Sequence, residues 1–264
     1  SGPETHVLPV IGKKPINLVT IEDLIGVLKP IWQQELGRKT LPKIVATINN
    51  ARTRDPALLS QFPDISQSLK DRLPDPKRPT RHHPALPWEL ASDVWMMLGD
   101  HVNERALRFY FLNMPRVANV THARWGEIDF DAKVWDIPAE NSKNAKSFAA
   151  PLSKQSLFIL KAEKERLDCE PNAAAFVFPN PESFRKGIVS ENAFTNWMKA
   201  QKLPSTDERL AVAHGLRATF GTWTQTNEIC DEVMADRCIQ HTVLSESARA
   251  YLRDDLREPR RKIM

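Results

Sequence analysis

Residues 125–153, WGEIDFDAKVWDIPAENSKNAKSFAAPLS, decide the fold class of this 264-residue chain. Two short runs of β-type residues, 128–130 and 134–137, flank a tight turn at Asp131-Ala132-Lys133. After a polar turn, a third such run follows at 147–153. Short strands joined by polar turns pair with their neighbours in sequence, so this stretch predicts a small antiparallel sheet.

The sequence on both sides of this stretch has the apolar spacing of helices. Behind Thr20, a residue type that caps helix N-termini, apolar residues recur at Leu24, Val27 and Leu28. Further helical patterns follow at 40–55, 64–73, 88–102, 104–114, 153–167, 190–203, 214–227, 229–239 and 245–256. The predicted fold class is mainly α with a small antiparallel β-sheet.

A proline-rich stretch divides the chain. Residues 73–90 contain five prolines, which favour extended backbone and stop helices. We therefore predict a helical domain at 1–72, a linker at 73–86 and an α+β domain at 87–264. Residues 1–86 hold 13 Lys and Arg against 8 Asp and Glu, whereas residues 87–264 hold 24 against 25. A basic smaller segment indicates a polyanionic partner.

Composition excludes several classes of protein and site. No apolar run approaches the eighteen residues of a membrane span, and the amino terminus lacks the pattern of a signal peptide. Three cysteines without a C-x-x-C pair favour a reducing cytoplasm over a disulfide framework or a zinc site. Glycine motifs for nucleotide phosphates are absent, so we expect no cofactor. The start at Ser-Gly without Met indicates a chain trimmed from something longer.

Two residues of AHGLRATFGTW, His214 and Arg217, have the spacing of one helix face. Both could then reach a common oxyanion, although Arg217 could instead pair with an acidic neighbour while His214 caps the helix. A phosphoryl transition state favours two guanidinium groups, because each is a permanently charged double donor. Arg116 is the candidate for the second, with Arg124 as its competitor.

Tyr251 is one of only two tyrosines and lies ten residues after His241. A phenol with a reference pKa of about 10 needs a cationic pocket and a proton acceptor before it can attack phosphorus. His241 could accept that proton or bond the phosphate. Lys143 or Lys146, both in the polar turn, could protonate the leaving oxygen. The alternatives are a surface helix with one aromatic anchor and two solvated lysines.

Taken together, HGLRATFGTW, IQHTVLSESARAYLRDD and the 111–153 stretch resemble the tyrosine recombinases, specifically the integrases of prophages and genomic islands. The resemblance implies a helical core-binding (SAM-like) domain followed by an α+β catalytic domain. A preceding arm-binding domain is not expected within the chain. The resemblance assigns the catalytic roles to Arg116, Lys143, His214, Arg217, His241 and Tyr251, with Lys146 as the alternative lysine. Three positions depart from the family pattern: Asn119 replaces a frequent acidic residue, Gln240 a frequent glycine, and Phe148 a histidine that is frequent in this subfamily.

The resemblance also implies a function and its partners. The protein would integrate or excise a prophage or genomic island through a 3′-phosphotyrosyl intermediate, without metal or ATP. The expected partners are double-stranded DNA attachment sites, three further protomers in a homotetramer with tail docking between them, and DNA-bending accessory proteins. The expected location is the cytoplasm, at the nucleoid. Expected DNA contacts are Arg38, Lys39, Lys43 and Lys146. The rival functions are a type IB topoisomerase-like or telomere-resolving enzyme and a catalytically decayed DNA-binding regulator.

Overall fold

A computed structural model describes residues 3–58, 65–74, 82–141, 146–167, 170–182, 187–241 and 255–264. The chain divides into two compact units, Ser1–Arg81 and His82–Met264. Within the described ranges, no helix combines the length and apolar composition that a membrane crossing requires.

The first unit is helical throughout its described part. Its helices are α1 (Pro3–His6), α2 (Leu8–Ile11), α3 (Ile21–Leu28), α4 (Glu35–Arg54) and α5 (Ile65–Arg72). The predicted cap at Thr20 is confirmed: its hydroxyl accepts from the Asp23 amide at 3.2 Å, and the Asp23 carboxylate accepts from the Thr20 amide at 2.8 Å. These two bonds satisfy donors that a helix start leaves unpaired.

The apolar spacing predicted for α3 faces the core of the first unit. Leu24 and Leu28 are fully buried there, together with Ile65 and Leu69 of α5. The Trp32 indole donates to the Pro74 carbonyl at 2.6 Å and so holds the end of the unit against α3 and α4.

The second unit combines helices with one sheet. Its helices are α6 (Ala91–Met97), α7 (Val102–Asn113), α8 (Val117–Thr121), α9 (Lys154–Glu165), α10 (Ala193–Ala200), α11 (Leu216–Thr226), α12 (Glu232–Cys238) and α13 (Arg257–Ile263). The strands are β1 (Ile128–Asp129), β2 (Val134–Ile137) and β3 (Phe148–Pro151), antiparallel in the order β1-β2-β3. The predicted fold class, mainly helical with a small antiparallel sheet, is confirmed.

Aromatic side chains connect the sheet to the helices of the second unit. Phe109 of α7 contacts Trp135 of β2 at a centroid distance of 5.3 Å and Phe178 at 5.6 Å. Tyr110 contacts Phe194 of α10 at 5.5 Å. All five are essentially inaccessible to solvent. Because α7 lies at the centre of this core, the turn that follows it is held in a fixed position.

Residues 82–86, within the predicted linker, pack into the second unit as an extended segment. The Pro84 carbonyl accepts from the Val212 amide at 3.2 Å and the Ala85 carbonyl from the Thr206 amide at 2.9 Å. The Thr219 hydroxyl donates to the Leu86 carbonyl at 2.6 Å. These bonds fasten the segment beside the start of α11.

The carboxy-terminal helix α13 lies against the sheet of its own chain. Buried Arg260 donates from Nη2 to the Ala149 carbonyl of β3 at 2.9 Å, and Arg261 donates to the Ala132 and Lys133 carbonyls at 3.0 Å each. In this structure the tail arginines therefore bind backbone carbonyls of the β1–β2 turn and of β3.

Candidate functional site

His214 and Arg217 sit where a 3-10 turn, Ala213–Gly215, runs directly into α11. The Tyr110 hydroxyl, from the core of the unit, donates to the Ala213 carbonyl at 3.0 Å. Gly215 is required by space: a Cβ there would lie 2.0 Å from the Pro84 carbonyl oxygen. The turn is therefore fixed between α7 and the extended segment 82–86.

Arg217 is a buried cation with a backbone anchor. Its side chain is enclosed, with the residue 7% exposed, and Nη1 donates to the Met114 carbonyl at 2.7 Å. This bond goes to a carbonyl rather than to the acidic partner considered above. Burial is the main cause that lowers the pKa of Arg217, but an arginine stays charged at neutral pH.

Arg116 lies two residues after Met114, at the position that precedes α8. Its Nη1 is buried and has no hydrogen-bond partner among the residues that the structure describes. Its positive charge is also one of the causes that lower the pKa of Arg217, so the two cations lie close enough to interact electrostatically. An unpaired buried donor on a cation is costly unless an anion binds it.

Arg124, the competing arginine, has a different environment. Its guanidinium stacks over the Phe176 ring at 4.3 Å and donates to the Ala174 carbonyl. These contacts fasten the 123–125 segment to residues 174–176, so Arg124 serves packing at this place.

His214 carries no charge at neutral pH. Its ring opens onto a cleft but is partly enclosed, and this burial, followed by the nearby His83, Arg217, Arg116 and His241, lowers its pKa to about 4. The His214 ring meets the His83 ring edge to face, with centroids 4.4 Å apart. His214 makes no cap of the α11 start, contrary to the structural alternative.

His241 follows α12 and is tied twice to Asp236. Its amide donates to the Asp236 carbonyl at 2.8 Å, and Nδ1 lies 2.9 Å from the Asp236 carboxylate. Because a carboxylate only accepts, Nδ1 carries the proton in this contact, and in the neutral imidazole this leaves Nε2 as an acceptor. Gln240 adopts φ +57°, the left-handed conformation that usually needs glycine at a helix end, which gives a physical reason for the family's glycine.

A cleft of about 290 Å³ is lined by the histidines of this site and by one of its arginines. Its walls include His83, His214, Arg217, Asp236 and His241. Sequence reasoning placed His83 in the linker and did not consider Asp236. The only signals were the His-His pair ahead of Pro84 and an acidic residue five before His241. Within the described ranges, no three His, Cys, Asp or Glu side chains are grouped as a metal site.

Of the other residues predicted from the sequence, the structure describes some and not others. Lys143 and Tyr251 lie outside the described residues. Lys146 is exposed, two residues before β3. In the first unit, Arg38 and Lys39 lie in the first turns of α4 and both pair with Glu35, at 2.7 and 3.4 Å. Lys43 is exposed in the third turn, away from the helix N-terminus where it was expected.

Comparison with known proteins places the chain among relatives of one kind. The chain is 24% identical over 263 residues to the prophage integrase IntA of Escherichia coli strain K12, and 21% identical over 280 residues to the integrase of Enterobacteria phage P4. Each match covers 99% of the chain but 61% of the relative, so the chain spans about three fifths of their length.

The fold has a solved counterpart as well. A lambda integrase tetramer bound to a Holliday junction aligns with a TM-score of 0.64 and 14% identity, over 95% of this chain and 69% of that one. The family model described as "Phage integrase family" matches residues 100–257, which is more than half of the chain. The chain therefore belongs to the phage integrase family.

Proposed function

We propose that this protein is a tyrosine-type site-specific DNA recombinase, which cuts and rejoins DNA to integrate or excise a prophage or genomic island. The observation that carries the proposal is the unpaired, buried Nη1 of Arg116 beside the buried Arg217, within one site that also includes His214 and His241. Such a site binds a compact anion with planar, charge-assisted hydrogen bonds.

The two arginines would stabilise the transition state. Charge develops on the non-bridging phosphate oxygens as the nucleophile attacks, and donors already fixed in place do not need to reorganise. Arg217 is fixed by its bond to the Met114 carbonyl. Arg116 lies two residues after Met114, directly before α8. His214, neutral in the free protein, adds a hydrogen-bond donor without adding a further positive charge.

Tyr251 would be the nucleophile. Of the two tyrosines, Tyr110 is excluded because it is buried, donates to the Ala213 carbonyl, and has a pKa raised by burial far above its usual range. The Tyr251 oxygen would attack phosphorus, forming a 3′-phosphotyrosyl bond as the bond to the 5′ oxygen breaks. His241 Nε2, freed by the Asp236 contact, would accept the phenolic proton.

The leaving 5′ oxygen needs a proton, and Lys143 or Lys146 would supply it. Rejoining reverses the step, since the 5′ hydroxyl of a partner strand attacks the phosphotyrosine and frees Tyr251. The covalent link retains the energy of the phosphodiester, so the proposal uses no ATP and no metal.

Assembly and location belong to the same proposal. Four protomers would exchange strands between two attachment sites, in the cytoplasm at the nucleoid, with Arg38, Lys39, Lys43 and Lys146 contacting DNA. The lambda integrase tetramer supports this by fold alone. Docking of the tail on a neighbouring protomer would require release of the Arg260 and Arg261 bonds to the sheet.

The test is a covalent-capture experiment. The protein is incubated with a pool of nicked duplexes randomised around the nick, and adducts that survive denaturation are recovered, sequenced and mapped by mass spectrometry. The parent chain should form an adduct at Tyr251, Tyr251→Phe none, and the matched control Tyr110→Phe an adduct still at Tyr251. An adduct that persists in Tyr251→Phe, or none with the parent chain, would refute the proposal.

A further inference from the structure

Asn119 stands where the family often has an acidic residue, and its surroundings depend on its being an amide. The residue is 3% exposed on α8, one turn after Arg116. Its Nδ2 donates to the backbone carbonyl of Asn141 at 3.2 Å. A carboxylate at this position could not make that bond, because an ionised acid only accepts.

Asn141 is the last residue of the 3-10 turn that follows β2, and it is tied on its other side as well. Its Nδ2 lies 3.4 Å from Oε1 of Glu127, whose Oε2 accepts from the Trp135 indole at 2.9 Å. Glu127 is half buried, and burial raises its pKa. A chain of hydrogen bonds thus runs from α8, through Asn141 and Glu127, to the buried Trp135 of β2.

The second amide atom of Asn119 is unused. Its Oδ1 is buried and has no hydrogen-bond partner among the described residues. The same is true of Nη1 of Arg116, one turn earlier. A buried acceptor left empty costs free energy, so Oδ1 is open to a donor from outside the described residues.

We propose that Asn119 is a positioning residue, which holds Asn141, at the start of the β2–β3 connection, against α8. It thereby sets the distance between the two arginines, Arg116 and Arg217, and the acid that protonates the 5′ oxygen. This inference rests on the proposed function. The two candidate lysines both lie in that connection, two and five residues after Asn141.

The test separates proton donation from phosphate binding by changing the leaving group. Two substrates carry the sequence recovered by covalent capture, one with the normal 5′ oxygen and one with sulfur in the bridging position. A thiolate leaves without a proton, so only the oxygen substrate needs the acid. Asn119→Asp and Asn119→Ala should slow cleavage of the oxygen substrate about 10- to 100-fold and that of the sulfur substrate less than about 3-fold.

A matched control is Asn113→Ala, which removes another buried amide with two hydrogen bonds, to Phe109 and Ser156. Any damage there should slow both substrates alike and leave their ratio unchanged. Asn141→Ala, at an exposed side chain, removes the next link of the same hydrogen-bond chain, the bond to Glu127, and should shift the ratio in the direction that Asn119→Ala does.

Equal slowing of both substrates in the Asn119 variants, or full speed on the oxygen substrate, would overturn the positioning role while leaving the recombinase proposal intact. An adduct that does not involve Tyr251 would overturn both.

Discussion

Gly215→Ala should unfold the joint between the H-x-L-R turn and the extended segment 82–86. Gly215 has φ −65° and ψ −24°, a conformation open to any residue, so the constraint is space alone. The added Cβ would stand 2.0 Å from the Pro84 carbonyl oxygen and 2.7 Å from its carbon. Both are backbone atoms, which cannot swing aside as a side chain does.

The size of the effect follows from two contributions. Overpacking in a closed core costs about 1–3 kcal/mol. Displacement of the Pro84 carbonyl also breaks its bond to the Val212 amide, which is worth about 1 kcal/mol. The variant should therefore lose about 2–4 kcal/mol, and Tm should fall by about 5–15 °C for a unit of this size.

Gly221→Ala is the matched control, because the same substitution within α11, the helix that follows Gly215, meets open space. Nothing lies within 4 Å of a Cβ at Gly221, and alanine is the better helix former by about 1 kcal/mol. Its Tm should rise by about 2–4 °C. Thermal unfolding followed by circular dichroism measures both, and a Gly215→Ala variant as stable as the parent chain would refute the close contact with Pro84.

Three further predictions concern other parts of the chain. Thr20→Ala removes the capping box with Asp23 and should lower the free energy of unfolding of the first unit by about 1 kcal/mol, measured by urea unfolding. The control is Thr53→Ala, which removes a hydroxyl that donates to the Asn50 carbonyl within α4. The pKa of His214 is about 4 in the folded chain and about 6.5 in the unfolded chain, so between these pH values the unfolded chain binds one more proton. The free energy of unfolding should therefore fall as pH drops from about 6.5 to about 4. His214→Gln should flatten that slope in urea unfolding measured at a series of pH values. Lys143→Ala and Lys146→Ala should differ, with the larger loss of oxygen-substrate cleavage at Lys143; a larger loss at Lys146 would reverse the assignment.

The first unit shows how much local sequence determines. The Thr20 cap and the spacing of Leu24, Val27 and Leu28 predicted α3 and its buried face, and both are confirmed. Capping and amphipathic spacing act within a few residues, so they can be read without knowledge of the rest of the chain. The start of α4 at Glu35 was not evident, because Pro42 lies inside this helix and masks its extent.

Local sequence also predicted the sheet, except for the length of its first strand. The short β-type runs and turns at 128–153 predicted a small antiparallel sheet, which is confirmed, and its strands lie in the order β1-β2-β3. β1 covers two residues, Ile128–Asp129, rather than three, since Phe130 leaves the ladder and packs near Trp125 at 6.5 Å.

The fold class, the family and the candidate residues could be predicted from the sequence, because they depend on residue types in a fixed order. Tertiary structure alone decided which groups meet. It placed His83 against His214, tied His241 to Asp236, and left Nη1 of Arg116 without a hydrogen-bond partner among the described residues. It also connected Asn119 to Asn141 across 22 positions. Such contacts join residues that are far apart in sequence, and only the packing of α7, α11 and the sheet into one core brings them within hydrogen-bond reach.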